Sequence, residues 1–213
     1  MNLIPKIHSD ASFSNTLFER IKRIISRAEK EVACDILKLT EDVTIIIDTD
    51  PGMIDPNIGV GGYTDDKSEI QLSIDPAHKD LHDDEIFATL VHELSHVKRI
   101  YGPGYGTTLF DYLVFEGLGV AFEEEVCGQN TYYPNHLRKL HDAKHLSDTF
   151  AYMFDYDDTQ YDYIDFIIGN AEKKIPEFAV YSMGLFIVDQ YLAQNHKKVS
   201  ELLLDQPEIF KEA

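Results

Sequence analysis

Residues 89–98, Thr-Leu-Val-His-Glu-Leu-Ser-His-Val-Lys, constrain the chain more than any other stretch. They set His92, Glu93 and His96 in the pattern His-Glu-x-x-His (HExxH) within a run of helical apolar period. Positions four apart lie one above the other on a helix, so His92 and His96 can turn two imidazoles toward one metal ion. Glu93 lies about 100° further round, able to reach an attacking water. Ile86, Leu90, Leu94 and Val97 put apolar surface on more than one side, so this helix is expected to be largely buried. Buried histidines need partners. A metal ion supplies them; hydrogen-bonded neutral imidazoles supply them equally well. Asp83 or Asp84 is expected to cap the helix, Lys98 and Arg99 lie where positive charge is favoured, and Gly102-Pro103 ends it.

A second helix, from about Thr107 to Val126, carries Leu113-Val114-Phe115-Glu116-Gly117-Leu118-Gly119. Glu116 is an acid in an apolar run, and an unpaired buried carboxylate is costly. It therefore needs a cation, either a metal ion or a Lys or Arg. Gly117 and Gly119 weaken the helix but admit a close neighbour. Glu123 falls too far along to share a ligand role but could line the same cleft, and Glu123 to Glu125 read as a solvated face.

The remaining chain reads as a scaffold. Ser12 or Ser14 begins a helix to about Ile36, with Leu17, Ile21, Ile24, Ile25, Ala28 and Val32 on one face. Val43 to Ile47 is a short buried strand. Asp48 to Pro56 is a loop, in which Asp48-x-Asp50 signifies turn chemistry rather than a calcium loop. Ile58 to Tyr63, then Ile70, Leu72 and Ile74 alternating with Gln71 and Ser73, form a hairpin. Gly59, Gly61 and Gly62 permit another backbone to come close, and that of a peptide substrate would fit. One helix is expected around Leu137 to Phe150, a loop running into a helix over Tyr161 to Ile168, an apolar helix from Val180 to about Leu192, and a short one at Val199 to Leu204.

Composition narrows the function. Lys and Arg number 19 against 38 Asp and Glu, a net charge of -19. That balance disfavours nucleic acid and anionic membrane surfaces, both of which need clustered positive charge. No run reaches the length of a bilayer span. Met1 to Ser9 lacks the apolar core of a secretory signal, and two cysteines, Cys34 and Cys127, make no disulfide framework. A cytoplasmic location is expected, with both cysteines as small buried residues.

Taken together, His92-Glu93-x-x-His96, a gap of nineteen residues, and Glu116 in a Glu-Gly-Leu segment resemble a gluzincin metallopeptidase. The wider arrangement is similar to the Zn-dependent proteases of the YjaZ-like domain-of-unknown-function family. Its further pieces are Gly61-Gly62, Ile74-Asp75-Pro76, Ile175-Pro176 and Tyr181-Ser182-Met183-Gly184. The resemblance implies an α+β, zincin-like fold in one domain, residues 1–213. That domain would hold a scaffold helix and sheet over about 1–80, zinc-binding helices over 81–128 and a helical part over 129–213. It implies one Zn2+ held by His92, His96 and Glu116, with Glu93 as general base in the hydrolysis of a peptide or protein substrate. It also implies that the strand Glu69 to Ile74 is an edge along which a peptide pairs, giving Gly62, Gln71, Leu72 and Ser73 as substrate-binding residues. Val120 stands where thermolysin-like enzymes carry an acid. The oxyanion stabiliser is expected to be Tyr181, with His145, Tyr101 and Tyr105 as rivals. A non-catalytic metal-binding or interaction domain is the alternative, against which Glu93 speaks, since a structural site needs no general base.

Overall fold

The computed structural model describes residues 1–129 and 131–212. The chain is α+β, with a small N-terminal sheet and a mostly helical remainder, and it forms two compact units, Met1–Ile100 and Tyr101–Ala213.

In the first unit, β1 (Leu3–Ile7), β2 (Val43–Asp48), β3 (Val60–Asp66) and β4 (Glu69–Ile74) form one sheet in the order β1-β2-β4-β3. β1 and β2 are parallel, as are β2 and β4, and β3 returns antiparallel to β4. The expected hairpin is therefore present. β4, however, is paired on both sides, and the edge beside it is β3; the sequence expectation of an edge at Glu69 to Ile74 is corrected by this order. β1 carries no sequence signal strong enough to stand out: five residues, one of them Pro5, which an edge strand tolerates and an inner strand does not.

Alternation gives the sheet two unlike faces. Val43, Ile45, Ile47, Ile70, Leu72, Ile74 and Val60 lie on one face, fully buried. Over it pack α1 (Asn15–Ala28) and α2 (Asp83–Ile100). Ser14 caps α1 through Leu17 N, and the helix passes into a π-helical turn over Glu29–Cys34. Glu29 accepts from Leu3 N at 2.6 Å, which ties β1 to that turn. The other face carries Asp48, Gln71 and Ser73. Gln71 Nε2 and Ser73 Oγ donate to the two oxygens of the buried Asp48 carboxylate, at 2.6 and 2.5 Å, and Asp48 also receives Asp50 N. Asp48-x-Asp50 is thus a turn device, as its sequence indicates.

In the second unit, α3 (Leu109–Cys127) and α7 (Ala179–Asn195) are buried over most of their length and form the core pair. Thr108 and Asp111 close a capping box at the start of α3. α4 (Tyr132–Leu140), α5 (Ala143–Phe150), α6 (Tyr163–Ile168) and α8 (Val199–Leu202) surround this pair. The single helix expected over Leu137 to Phe150 is two, broken at His141 and Asp142, whose carboxylate caps α5 through His145 N. The run Glu123 to Glu125 is a solvated face only in part: Glu125 is exposed and caps α8 through Val199 N, Glu124 is half-buried and binds Arg138 through both oxygens, and Glu123 is 4 % exposed. Both cysteines are half-buried rather than buried. No helix among the described residues is long and apolar enough to cross a membrane.

Gly117, next to Glu116, admits α7. A Cβ at Gly117 would land on the backbone of Gly184, and one at Gly184 on the carbonyl of Leu113. Neither backbone can yield without separating the helices. Gly184→Ala is expected to destabilise the protein by about 1–3 kcal/mol, read as a lower urea midpoint, because overpacking against backbone has no cheap relief.

Candidate metal centre

Helix α2 presents three ionisable side chains that helices seldom bury: His92, Glu93 and His96 are 7 %, 5 % and 4 % exposed. The helix forms here because its apolar positions cover the sheet, while Asp83, Asp84 and Glu85 complement its N-terminal dipole and Lys98 its C-terminal one. Arg99, which with Lys98 lies at that end as expected, is buried. His92 and His96 occupy one face, with Nε2 atoms 2.9 Å apart and rings edge to face at 84°. Two imidazole nitrogens come this close only when a proton or a cation lies between them. Ser95 donates to the carbonyl of His92 at 2.6 Å.

Glu93 is turned toward β3. Thr64 Oγ1 lies 2.7 Å from Glu93 Oε2, a short bond of the charge-assisted kind, and 3.2 Å from the Glu93 carbonyl. Gly62 sits directly against the Glu93 side chain. Of the four expected substrate-binding residues, Gly62 alone neighbours Glu93. Gln71 and Ser73 point to the opposite face of the sheet and are engaged by Asp48, and Leu72 is fully buried beneath the helices.

In the second unit, Glu116 is 8 % exposed on α3. Tyr163 OH donates to its Oε1 at 2.9 Å, and the Tyr163 ring lies over that of Tyr112 at 4.4 Å. Burial first, then the charge of Glu116, push the Tyr163 hydroxyl well above the ordinary tyrosine range, so it stays a donor. Tyr181 is half-exposed in the first turn of α7, edge-on to Tyr133 at 5.6 Å. Among its rivals, Tyr105 stacks on Phe115 at 4.3 Å, Tyr101 is exposed, and His145 is exposed on α5.

His92, His96 and Glu116, all buried, each offer one ligand atom, and these atoms all lie within 4.8 Å of one another. Two imidazole nitrogens and one carboxylate oxygen are a donor set that zinc takes readily, with room for a fourth ligand. The residues present therefore fit a zinc ion.

Sequence reasoning did not find Thr64 or Tyr163. Thr64 falls in what reads as a polar turn, and only the observed extent of β3 puts it on the same face as Gly62. Tyr163 has no local signal; a buried carboxylate calls for donors, but the chain has 12 tyrosines to choose from.

A buried group of this kind could hold a metal ion. The particular family follows from comparison: the chain belongs to the family described as Predicted Zn-dependent protease (DUF2268), whose model matches residues 13–212. No curated protein and no solved structure matches it.

Proposed function

We propose that the protein is a zinc metallopeptidase of the gluzincin type, close in character to the YjaZ-like proteases, with one Zn2+ held by His92, His96 and Glu116. The observation that carries this is the buried group of three, whose ligand atoms lie within 4.8 Å. The chain's membership of a family described as Predicted Zn-dependent protease supports the same chemistry. Zinc, when bound, supplies a Lewis acid that lowers the pKa of water and polarises a carbonyl.

The chain's own residues supply the rest. Glu93, adjacent to His92 on the same helix, takes the proton of the attacking water on its carboxylate. The water oxygen bonds to the carbonyl carbon of the scissile peptide. Glu93 then hands that proton to the departing nitrogen as the C–N bond breaks, and the second proton of the water passes from the new carboxylic acid to the amine, leaving a carboxylate and an ammonium group. Tyr163 holds Glu116 in one orientation through Oε1, which is how a neighbouring donor sets the direction of a ligand carboxylate. Tyr181 donates to the oxyanion that develops on the carbonyl oxygen. An extended peptide pairs along β3, the edge strand that runs past Glu93. The reaction takes place in the cytoplasm.

Glu93→Gln is expected to retain zinc and lose hydrolysis of labelled casein, whereas His96→Ala and Glu116→Ala lose the zinc itself, measured by elemental analysis. Zinc retention with undiminished cleavage in Glu93→Gln would overturn the general base. Zinc in the wild type with no cleavage of a broad proteome digest would favour a binding domain over an enzyme. Tyr163→Phe is expected to weaken zinc roughly 10- to 100-fold in a competition titration with a chelator, the usual cost of losing a partner of a metal ligand.

A further inference from the structure

Strand β3 holds the side chain of Glu93 from two directions. Val60, Gly62 and Thr64 alternate onto the face of the sheet that α2 covers, opposite Ile74, Leu72 and Ile70 of β4. Thr64 is 2 % exposed, and its single hydroxyl proton has two acceptors in range, the Glu93 carboxylate at 2.7 Å and the Glu93 carbonyl at 3.2 Å. The shorter contact and the negative charge make the carboxylate its partner. At Gly62, a Cβ would lie 2.6 Å from Glu93 Cγ, 2.8 Å from Glu93 Oε1 and 2.9 Å from Thr89 Cγ2. Any larger residue there would displace the side chain. Immediately after Thr64 the register slips: Thr64 pairs with Ile70 and Asp66 with Glu69, so Asp65 is the extra residue of a β-bulge. Bulges of this kind re-aim a neighbouring side chain.

Building on the peptidase function proposed above, we infer that Thr64 is a positioning residue for Glu93, with Gly62 as the space that admits it. The Thr64 hydroxyl pins Oε2, and that leaves Oε1, on the Gly62 side, as the oxygen that takes the proton from water. A glutamate has three side-chain torsions, and only one orientation of its carboxylate serves the reaction. Tethering one oxygen removes the others. The same strand is an edge of the sheet, so the residues that fix the base and the backbone proposed to pair with a peptide belong to one element.

Two measurements test this, and the first does not depend on activity. Urea unfolding of the metal-free wild type, Thr64→Val, Glu93→Ala and the double variant forms a double-mutant cycle. Valine keeps the shape of threonine and loses only the hydroxyl. Thr64→Val is expected to lower the midpoint in the wild-type background and to lower it by far less when residue 93 is alanine; equal shifts in both backgrounds would overturn the inference. In the second, zinc-loaded variants act on fluorescein-labelled casein. Thr64→Val is expected to lose roughly 10- to 100-fold in kcat, with KM and zinc content within about twofold of wild type. Thr64→Ser, which keeps the hydroxyl, regains most of that loss, and Gly62→Ala loses kcat by crowding the same carboxylate. A wild-type kcat in Thr64→Val would overturn the inference. Should the wild type itself cleave no casein, the proposed peptidase function fails, while the unfolding cycle still decides whether Thr64 holds Glu93.

Discussion

A charged or ionisable group taken out of water has to be given a partner, and helix α2 takes three such groups out of water within five residues. Everything around it in the first unit can be understood as meeting that demand. His92 and His96 turn toward one point, with nitrogens 2.9 Å apart. Glu93 receives the hydroxyl of Thr64. The same demand is met in the second unit at Glu116, where Tyr163 donates to one carboxylate oxygen. Leaving any of these groups unpartnered would cost more than the net gain of an ordinary hydrogen bond, so their placement is a strong constraint on the fold.

The sheet answers the constraint through its two faces. Its apolar face gives α2 something to cover, and the interruption of that face by Gly62 and Thr64 is where Glu93 fits. Its polar face absorbs a different buried charge, Asp48, by spending Gln71 and Ser73 on it. Strand β4 is thus fully committed, paired on both edges and with its side chains engaged on both faces. The edge on that side of the sheet is β3, and that moves the proposed place of peptide pairing from β4 to β3.

Much of this was legible in the sequence wherever the signal is local. Ile86, Leu90, Leu94 and Val97 announce α2; the alternation of Ile70, Leu72 and Ile74 announces β4; Ser14 marks a helix start by side-chain chemistry confined to one turn. Elements with a weak or divided local signal were not legible. Strand β1 is five residues with a proline, and it exists because β2 offers it a parallel edge. The apolar spacing from Leu137 to Phe150 reads as one helix, but Asp142 caps a new one there, and a cap overrides a continuing hydrophobic period.

His-Glu-x-x-His followed by Glu116 could be read from the chain alone, because helix periodicity and the cost of a buried carboxylate are properties of residue type and spacing. The order of strands, the choice of β3 over β4 as the edge, and the partners of the buried carboxylates were decided only by tertiary structure. Thr64 meets Glu93 across 29 positions of sequence and Tyr163 meets Glu116 across 47. No local propensity encodes such meetings. They arise when the packing of sheet and helices brings one particular donor within reach, among many residues of the same type.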